Sequence, residues 1–475
     1  MKNVRTYLPI ISIFGLALLI RIGYNLTVAR HYIPEFDAEL YNNLAKHLVT
    51  DHCFCYAPNG HVTNRAPLWP FIMSVIYFIT GPKNFYARLF FSFLGSATCV
   101  LVYLFAKDMF GKRIALITGA IAAIYPGLFI YDGWLYSESL YTFLMVAFTY
   151  SLYRLQRIAQ WQWAPSDNIF LVILLHWLQR TTWRRWMILS GVLLGLASLA
   201  RPNGPFLIVL LFAWALVMLR AKMVSWQSIT KCTLIITCIA ALLLAPWTLR
   251  NYKATYTFIL VATGGGNVLS GVYNDTALKE DGMWEPLVKI RPEIDFHGHN
   301  CCDYTGEADN TAYALHWIST HISSMPYLLS LHFINMWKPY TSEEGLPFIE
   351  FPTRISSRVV WNMIFIVSFP IFLLAAFGLL VTWKRWKKYL FVVYVVIALN
   401  IIQNVAFYGS SRFRAPIEPL LVLLGGGAIW WLTCNEPGMR RYIFRKKARR
   451  EGLQVTSPAE GTSITAEDTA SPAAS

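Results

Sequence analysis

Charged residues are scarce in this sequence, and their scarcity excludes a water-soluble globular protein. Only 14% of the 475 residues are charged and 56% are hydrophobic, with a mean hydropathy of +0.43. Acidic residues are the rarer kind, 26 against 41 Lys and Arg residues, and the formal net charge is +15. The basic residues form short clusters between apolar runs, where they set membrane topology and meet anionic lipid. We therefore expect membrane lipids as partners and no nucleic acid.

Cysteine is too infrequent for a disulfide framework, with eight residues in the whole chain. Four of them lie in or beside apolar runs and are expected to act as small hydrophobic residues: Cys99, Cys232, Cys238 and Cys434. The other four fall in two polar stretches that we place outside the cytoplasm: Cys53, Cys55, Cys301 and Cys302. Oxidation is permitted there, and one bridge between the two stretches is possible, but the sequence does not assign the pairing.

The sequence also lacks a signal-peptide cleavage site and an internal repeat. Lys2 and Arg5 precede an apolar run from Tyr7 to Val28 that is long enough to cross a bilayer, and no small-residue cleavage site follows it. We expect this first span to be retained as a membrane anchor.

Long apolar runs are what the sequence has in abundance. About 20 apolar residues cross roughly 30 Å of hydrocarbon, and this criterion selects ten segments. They lie near 7–28, 85–107, 114–131, 134–153, 187–200, 204–219, 230–247, 359–382, 389–408 and 415–433. We predict an all-α polytopic membrane protein with about ten transmembrane helices and with both termini on one side.

Basic residues in short loops predict the orientation. The loops assigned to the cytoplasm contain Lys112 and Arg113, Arg154 to Arg185, Arg220 to Lys231, Lys384 to Lys388, and the tail from Arg440 to Arg450. Both termini are then cytoplasmic, and two polar regions face outward: residues 29–84 after the first span and residues 248–358 after the seventh. The expected location is a bacterial inner membrane with the active site on the periplasmic face.

This orientation predicts four parts of the chain. Residues 1–247 form an N-terminal transmembrane catalytic module with the first external loop at 29–84, and residues 248–358 form an external region. Residues 359–433 form the C-terminal transmembrane helices, and residues 434–475 form a basic and then disordered cytoplasmic tail.

Two interfacial helices are predicted in the first external loop. The stretch from Arg65 to Thr80 is apolar, contains two prolines and is too short to span comfortably. Residues 38–48 place leucines at four-residue spacing on one face. In the cytoplasmic insertion at residues 160–180, the apolar core from Ile169 to Leu178 is expected to lie on the membrane.

Six sequence motifs occur in an order that resembles one enzyme group. They are EFDAELYNNLAKHL, NRAPLWP, YARLFFSFLGSATCVLVYLFAKDMFG, LASLARPNG, PWTLRNY followed by GGGN, and SSRFRAPIEPLL. Their order resembles the membrane glycosyltransferases of the C-type fold, which include protein O-mannosyltransferases and the lipid A aminoarabinose transferases. The resemblance covers roughly residues 1–435. It implies an inverting transfer of a sugar from a polyprenyl-phosphate donor to an acceptor hydroxyl, with an acidic residue as base.

Asp37 is the expected catalytic base. It lies in the first external loop, immediately before the predicted 38–48 helix, where a carboxylate can reach an acceptor hydroxyl at the lipid boundary. Aspartate is also a preferred N-cap residue, so a purely structural role remains open. Glu39 is the second candidate, although in the first helical turn it could only favour the helix dipole.

Arginines at the outer ends of spans are candidates for binding the donor phosphate, because guanidinium pairs well with phosphate oxygens. Arg65 matches a basic residue that, by the resemblance, contacts the carrier phosphate, and Arg250 follows a Pro-Trp pair at the outer end of the seventh span. A lipid head group for Arg65 and an interface anchor for Arg250 are the alternatives. Arg201 and Arg412 rank next, since the positive-inside rule disfavours them there. Arg88 is expected to be structural.

Two acidic residues lie at the outer turn between the third and fourth predicted spans. Glu138 is a weaker catalytic or acceptor-binding candidate, whereas a solvated turn is enough to explain Asp132. His297, His299, Cys301 and Cys302 do not have a recognisable zinc spacing, so we expect a flexible loop and no metal. The run Gly264 to Gly266 lacks the surroundings of a nucleotide-binding loop and is expected to give backbone freedom near the acceptor.

The sequence therefore predicts a glycosyltransferase that uses a lipid-linked sugar phosphate as donor and needs no cofactor. The acceptor is a lipid, glycan or protein hydroxyl, and neither it nor the sugar can be identified from the sequence. A transporter or flippase of a lipid-linked sugar is the main alternative, and it would need polar residues through the bilayer midplane. A non-catalytic subunit of envelope-polysaccharide assembly is the third possibility.

Overall fold

The structure, a computed structural model, describes residues 2–56, 60, 62–159, 169–290, 306–338 and 357–434. Within these ranges the chain is helical, without a β-strand, and the predicted all-α polytopic fold is confirmed. Residues 1–429 form one compact unit, and residues 430–475, most of which lie outside the described ranges, form another. The predicted disordered tail and the HGHNCC segment also lie outside the described residues.

The helices follow one another in the order α1 Lys2–Leu26, α2 Phe36–Thr50, α3 Leu68–Thr80, α4 Asn84–Phe110, α5 Lys112–Ile124, α6 Pro126–Phe129, α7 Glu138–Ala159, α8 Ile169–Ala200 and α9 Leu207–Arg220. They continue with α10 Trp226–Thr255, α11 Gly265–Val272, α12 Asp275–Lys279, α13 Leu287–Ile290, α14 Glu307–Thr320, α15 Met325–Trp337, α16 Ser357–Phe407, α17 Ser411–Arg414 and α18 Glu418–Cys434. Short 3₁₀ turns connect several of them.

Six helices in the described ranges are long and apolar enough to cross a membrane, and a bent pair makes a seventh candidate. The bent pair is α5 followed by residues Pro126–Gly133, with an angle of 64° at the break before Pro126. Proline at the first position of α6 fits this break, since it cannot donate a backbone hydrogen bond. The protein is thus a multi-pass membrane protein, while the count of ten spans stays a prediction.

Helix α16 contains two of the candidate spans. Along a straight helix, Thr382 and Tyr394 would be about 18 Å apart at about 1.5 Å per residue. The Tyr394 hydroxyl nevertheless donates to Thr382 Oγ1 at 2.9 Å, and the Trp383 and Tyr394 rings are 5.2 Å apart. The chain therefore turns back between Asn362–Trp383 and Leu390–Phe407, as the two separate predicted spans require.

Small residues allow close packing between α8 and α10. Gly191 and Gly195 are four residues apart on α8, and a Cβ atom on either would lie within 3 Å of Ile239 or Leu243 of α10. Helix packing in membranes relies on such close approach, because lipid is as apolar as the side chains. Helix α8 also starts at Ile169 and continues without a break, so the fifth predicted span is the end of a longer helix.

The two helices α2 and α3, which follow the first span, pack against each other. The Tyr77 hydroxyl of α3 donates to Asn42 Oδ1 of α2 at 2.7 Å, and Leu44 of α2 and Trp69 of α3 are fully buried. Trp69 also donates from Nε1 to the Leu135 carbonyl at 2.7 Å. These contacts hold α2, which carries Asp37, close to the turn that precedes α7.

Candidate functional site

Asp37 lies in the first turn of α2, but it is not the N-cap. Glu35 occupies the cap position without a capping side-chain hydrogen bond, and the helix starts at Phe36. Phe36 has a φ of 49°, a left-handed conformation that is costly for a non-glycine residue. The Asp37 carboxylate is therefore not used to cap its own helix and points to partners elsewhere in the chain.

Two arginines bind the Asp37 carboxylate. Arg65 Nη2, from the segment before α3, donates to Asp37 Oδ1 at 2.8 Å. Arg412 Nη2, from α17, donates to Asp37 Oδ2 at 3.2 Å. Asp37 keeps 35% of its side chain exposed, so a group from outside the protein can still reach it.

Glu138 is the second carboxylate of the site, and it is buried, with 1% of its side chain exposed. Its Oε1 accepts from Arg412 Nε at 2.5 Å and lies 3.3 Å from Arg201 Nη1. The other oxygen, Oε2, is buried without a hydrogen-bond partner among the described residues. Arg201 directly follows the last residue of α8, and Glu138 is the first residue of α7, so both charges match the helix dipoles.

These five residues, Asp37, Arg65, Glu138, Arg201 and Arg412, form what we call the arginine–carboxylate cluster. Arg412 connects its two halves because it binds both carboxylates. Three guanidinium groups face two carboxylates, so the cluster has one positive charge in excess. An additional anion would complete its charge balance.

Aromatic rings surround the arginines of the cluster. The Arg412 guanidinium lies 4.2 Å from the ring centre of Tyr136 and 5.4 Å from that of Trp134. Arg201 lies 5.8 Å from the ring of Tyr141. Such cation–π contacts orient a guanidinium while leaving its N–H groups in the ring plane able to donate. These aromatic residues had not been identified from the sequence.

The charges of the cluster control the ionisation of Asp37. Burial raises the pKa of the Asp37 carboxyl, but Arg65, Arg412 and Arg201 outweigh burial and hold that pKa below its ordinary value. Tyr41, one helical turn further along α2, shows the opposite shift, because burial raises the pKa of its hydroxyl. Asp37 is thus an acceptor at neutral pH, whereas the Tyr41 hydroxyl stays protonated.

Arg250 does not join the arginine–carboxylate cluster. Its Nη1 donates to the Val62 carbonyl at 2.7 Å and its Nη2 to the Phe54 carbonyl at 3.1 Å. The guanidinium lies 4.9 Å from the ring centre of Trp247. The four arginines predicted to bind the donor phosphate thus separate into two groups: Arg65, Arg201 and Arg412 belong to the cluster, and Arg250 binds the carbonyls of Phe54 and Val62.

Glu39 is also outside the cluster. It lies exposed on α2, and none of the ion pairs found between described residues includes it. Glu39 follows the fully buried Ala38 and projects from a different side of α2 than Asp37, away from the arginines that bind Asp37. The geometry therefore favours Asp37 of the two acidic candidates on this helix.

The solvated-turn explanation for Asp132 is wrong. Asp132 is 1% exposed, and its Oδ2 accepts from Arg21 Nε at 2.6 Å. Arg21 belongs to α1, is fully buried, and also donates to the Ala17 carbonyl. Arg21 had not been identified from the sequence, although an arginine inside an apolar run is a signal of a buried partner.

Other candidates have structural contacts. Arg88, as expected, is structural: it is 2% exposed and donates to the Ala29 carbonyl at 2.7 Å. The glycine run binds a carboxylate, because the Gly264 and Gly266 amides donate to Glu307 at 2.9 and 2.7 Å. The Cys53 and Cys55 sulfurs are joined to each other, and Cys301 and Cys302 lie outside the described residues. Within the described ranges, no three metal-ligating side chains come together.

Comparisons with known proteins agree with this architecture. Residues 64–171 match the dolichyl-phosphate-mannose-protein mannosyltransferase family. No curated protein matches the chain by sequence. Among solved structures, the chain is similar to the archaeal oligosaccharyltransferase AglB from Archaeoglobus fulgidus in complex with an inhibitory peptide and a dolichol-phosphate, with a TM-score of 0.54 and 15% identity over 94% of this chain and 52% of that one.

A second structure of the Archaeoglobus fulgidus oligosaccharyltransferase, tethered with an acceptor peptide, gives a TM-score of 0.54 and 14% identity over 96% of this chain and 52% of that one. ArnT from Cupriavidus metallidurans, bound to undecaprenyl phosphate, gives a TM-score of 0.40 and 13% identity over 88% of this chain and 77% of that one. The chain spans about half the length of the oligosaccharyltransferase chains. It has the C-type fold of membrane glycosyltransferases, and the predicted resemblance is confirmed at that level.

Proposed function

We propose that this protein is a glycosyltransferase that moves a sugar from a polyprenyl-phosphate donor to an acceptor hydroxyl. The observation that carries the proposal is the arginine–carboxylate cluster, in which the partly exposed Asp37 carboxylate lies between Arg65 and Arg412. A reaction that deprotonates a hydroxyl and releases a phosphate needs this pairing of a base with cations. The fold and the partial match to a mannosyltransferase family support the same class of reaction.

Asp37 is the proposed base, and Glu138 is assigned to hold the arginines. The acceptor oxygen gives its proton to Asp37 and attacks the anomeric carbon, while the bond from that carbon to the phosphate oxygen breaks. The electron pair leaves with the polyprenyl phosphate, whose charge Arg65, Arg201 and Arg412 balance. Attack opposite to the leaving phosphate inverts the anomeric configuration. Glu138 is too buried to meet an acceptor hydroxyl directly.

Donor binding also changes the pKa of Asp37, the proposed base. In the free protein, Arg65 and Arg412 lower the pKa of Asp37 and make it a weak base. A phosphate bound beside Asp37 adds negative charge and competes for the same guanidinium groups, and both effects raise the pKa of the carboxyl. The proposed base thus becomes stronger when the donor is in place.

The proposed reaction needs no bound metal ion, since Arg412 supplies the positive charge between Asp37 and Glu138. Transfer is expected to be unchanged in excess EDTA. A loss of activity that is restored by adding back a divalent cation would contradict this part of the proposal.

The proposed location is a bacterial inner membrane, with both termini cytoplasmic and the arginine–carboxylate cluster facing the periplasm. The basic loops support this orientation. The AglB structure contains a dolichol-phosphate, which is itself a polyprenyl phosphate, and this supports a lipid-linked donor here. The acceptor class, whether lipid, glycan or protein, is left to experiment.

A two-part experiment tests the function. Mass spectrometry of envelope lipids, glycans and proteins from a deletion strain is expected to show one missing sugar, which the wild-type gene restores and the Asp37→Asn gene does not. Purified protein with a panel of polyprenyl-phosphate sugars is then expected to release polyprenyl phosphate only when the extracted acceptor is present. An unchanged envelope would contradict the proposal, and full complementation by Asp37→Asn would favour a transporter or a non-catalytic subunit.

A further inference from the structure

The segment between α2 and α3 carries Arg65, and two of its residues are bound by a residue from far along the chain. Arg250, near the end of α10, donates to the carbonyls of Phe54 and Val62. The Phe54 carbonyl also accepts from the Val62 amide at 3.4 Å. Arg250 thus binds both Phe54 and Val62, and Arg65 follows Val62 by only three residues.

Packing around these carbonyls fixes the same points. Phe54 and Val62 share a buried cluster with Trp247 of α10 and with Leu44 of α2, the helix that carries Asp37. The rings of Phe54 and Trp247 are 4.9 Å apart, edge to face. The Arg250 guanidinium lies against both rings, so its apolar contacts and its hydrogen bonds orient it towards the loop.

A second connection holds the segment immediately before Arg65. The Thr263 amide donates to the Thr63 carbonyl at 2.8 Å, and the two threonine hydroxyls are 3.2 Å apart. Ala66, directly after Arg65, is fully buried against Leu244 and Val261. Arg65 is therefore placed by neighbours on both sides that are attached to α10 and to the segment that follows it.

We propose that Arg250 is a positioning residue, which holds Phe54 and Val62 in place so that Arg65 stays beside Asp37. This inference rests on the proposed function and replaces the sequence-based expectation that Arg250 binds the donor phosphate. Both terminal nitrogens of Arg250 already donate to carbonyls, at 2.7 and 3.1 Å. Engaging a phosphate with the same nitrogens would take the donor from the Val62 carbonyl and leave the Phe54 carbonyl only the 3.4 Å bond from the Val62 amide, which is unfavourable because both residues are buried.

A double-mutant cycle separates the two roles. The full-length protein in detergent is titrated with undecaprenyl phosphate, and the dissociation constant is measured for Arg65→Gln, Arg250→Gln and the double variant. Arg65→Gln is expected to weaken binding about tenfold or more, since it removes a charge-assisted contact. If Arg250 acts only through Arg65, Arg250→Gln weakens binding by no more than that factor, and the double variant binds no more weakly than Arg65→Gln alone.

Conservative and control variants accompany the cycle. Arg250→Lys can still donate to one carbonyl and is expected to recover part of the binding. Lys253→Gln removes an exposed cation beside Arg250 in the groove of about 350 Å³ at the end of α10, and it is expected to leave binding unchanged. Circular dichroism and thermal unfolding check that each variant is folded. Arg250→Gln is also expected to move the acidic limb of the pH–activity profile to higher pH, because Arg65 no longer lowers the pKa of Asp37 as strongly.

The outcomes distinguish this inference from the proposed function. Losses that multiply in the double variant would mean that Arg250 contacts the phosphate itself, and they would overturn the positioning role while leaving the function intact. Unchanged binding in Arg250→Gln would overturn it as well. Unchanged binding in Arg65→Gln would overturn both the inference and the assignment of Arg65 to the donor phosphate.

Discussion

Arg412 Nε and Glu138 Oε1 are 2.5 Å apart although 274 residues separate them in the sequence. The same guanidinium reaches Asp37, 375 residues away. The site is thus assembled from the segment between α1 and α4, the start of α7, the end of α8 and the short helix before α18. Each segment contributes one or two charges.

Replacing the proposed base tests the chemistry directly. Asp37→Asn keeps the size of the side chain but removes its ability to accept a proton, and we expect the transfer rate to fall by about 10²- to 10⁴-fold. Glu39→Gln is the matched control, because Glu39 lies on the same helix and is exposed. Initial rates are measured with saturating donor. A large loss in Glu39→Gln together with an active Asp37→Asn would reverse the assignment.

The lowered pKa of Asp37 predicts how activity and stability depend on pH. At limiting donor, where kcat/KM reports the free protein, activity should persist to a pH below the ordinary carboxyl range of about 4 and should fall only as Asp37 is protonated. Since the folded-state pKa lies below the unfolded one, the carboxylate contributes stability that is present above about pH 4 and is lost as the pH falls through the folded pKa. Arg65→Gln should shift the acidic limb of the pH–activity profile to higher pH. Identical acidic limbs in the wild type and in Arg65→Gln would contradict the influence of Arg65 on the pKa of Asp37.

The ion pair between Arg412 and Glu138 is expected to be strongly coupled. Arg412→Met leaves the buried Glu138 with one arginine fewer and should destabilise the protein by about 3–5 kcal/mol. When Glu138→Gln is added to Arg412→Met, the further loss in free energy of unfolding should be smaller than the loss caused by Glu138→Gln alone. The difference is a coupling energy of about 1–3 kcal/mol. Chemical denaturation in mild detergent measures each value. The exposed pair Lys289 and Glu280 is the control and should show no measurable coupling, and additive effects at the cluster would contradict the structure.

Gly95 of α4 leaves room for the buried pair of Arg21 and Asp132. A Cβ atom on Gly95 would lie 2.0 Å from Asp132 Oδ2 and 2.5 Å from Arg21 Nε. We expect Gly95→Ala to destabilise the protein by about 1–3 kcal/mol. Gly15→Ala, where nothing lies within 4 Å of the added methyl group, should leave the melting temperature unchanged or slightly raised. Equal melting temperatures for the two variants would contradict the close packing at Gly95.

Topology can be tested with single cysteines in a cysteine-free background. Lys83, just before α4, and Gln227, in the first turn of α10, are both exposed. In intact cells, a membrane-impermeant maleimide should label Lys83→Cys but reach Gln227→Cys only after the membrane is permeabilised. The opposite pattern would invert the proposed orientation and would place the arginine–carboxylate cluster on the cytoplasmic side.

The fold could be inferred from the sequence because its signals are local. Apolar runs and leucine spacing depend on near neighbours, and they led to the polytopic fold and to helices α2 and α3. Even the turn within α16 follows from a basic cluster between two apolar runs. The bend before Pro126 and the unbroken length of α8 were not predicted, since proline and a marginal apolar run do not determine how a helix continues.

The partners of the charged residues depend on tertiary contacts, and no periodicity encodes them. The position of Arg250 after Pro246 and Trp247 suggested an outward-facing phosphate ligand, whereas its direction depends on the Phe54 and Val62 carbonyls, almost two hundred residues away. Asp132 looked solvated because its partner Arg21 lies in another span. The resemblance to a family identified Asp37 and Arg65, but it could not show that Arg412 joins both carboxylates.

The contribution of Arg412 from α17 has a consequence for biosynthesis. Residues 37, 65, 138 and 201 are translated long before residue 412, and domains form in the order in which the chain emerges. Until α17 follows the second half of α16 into place, Asp37 and Glu138 lack the guanidinium that joins them. The arginine–carboxylate cluster is therefore complete only when the last membrane segments of the chain are in place.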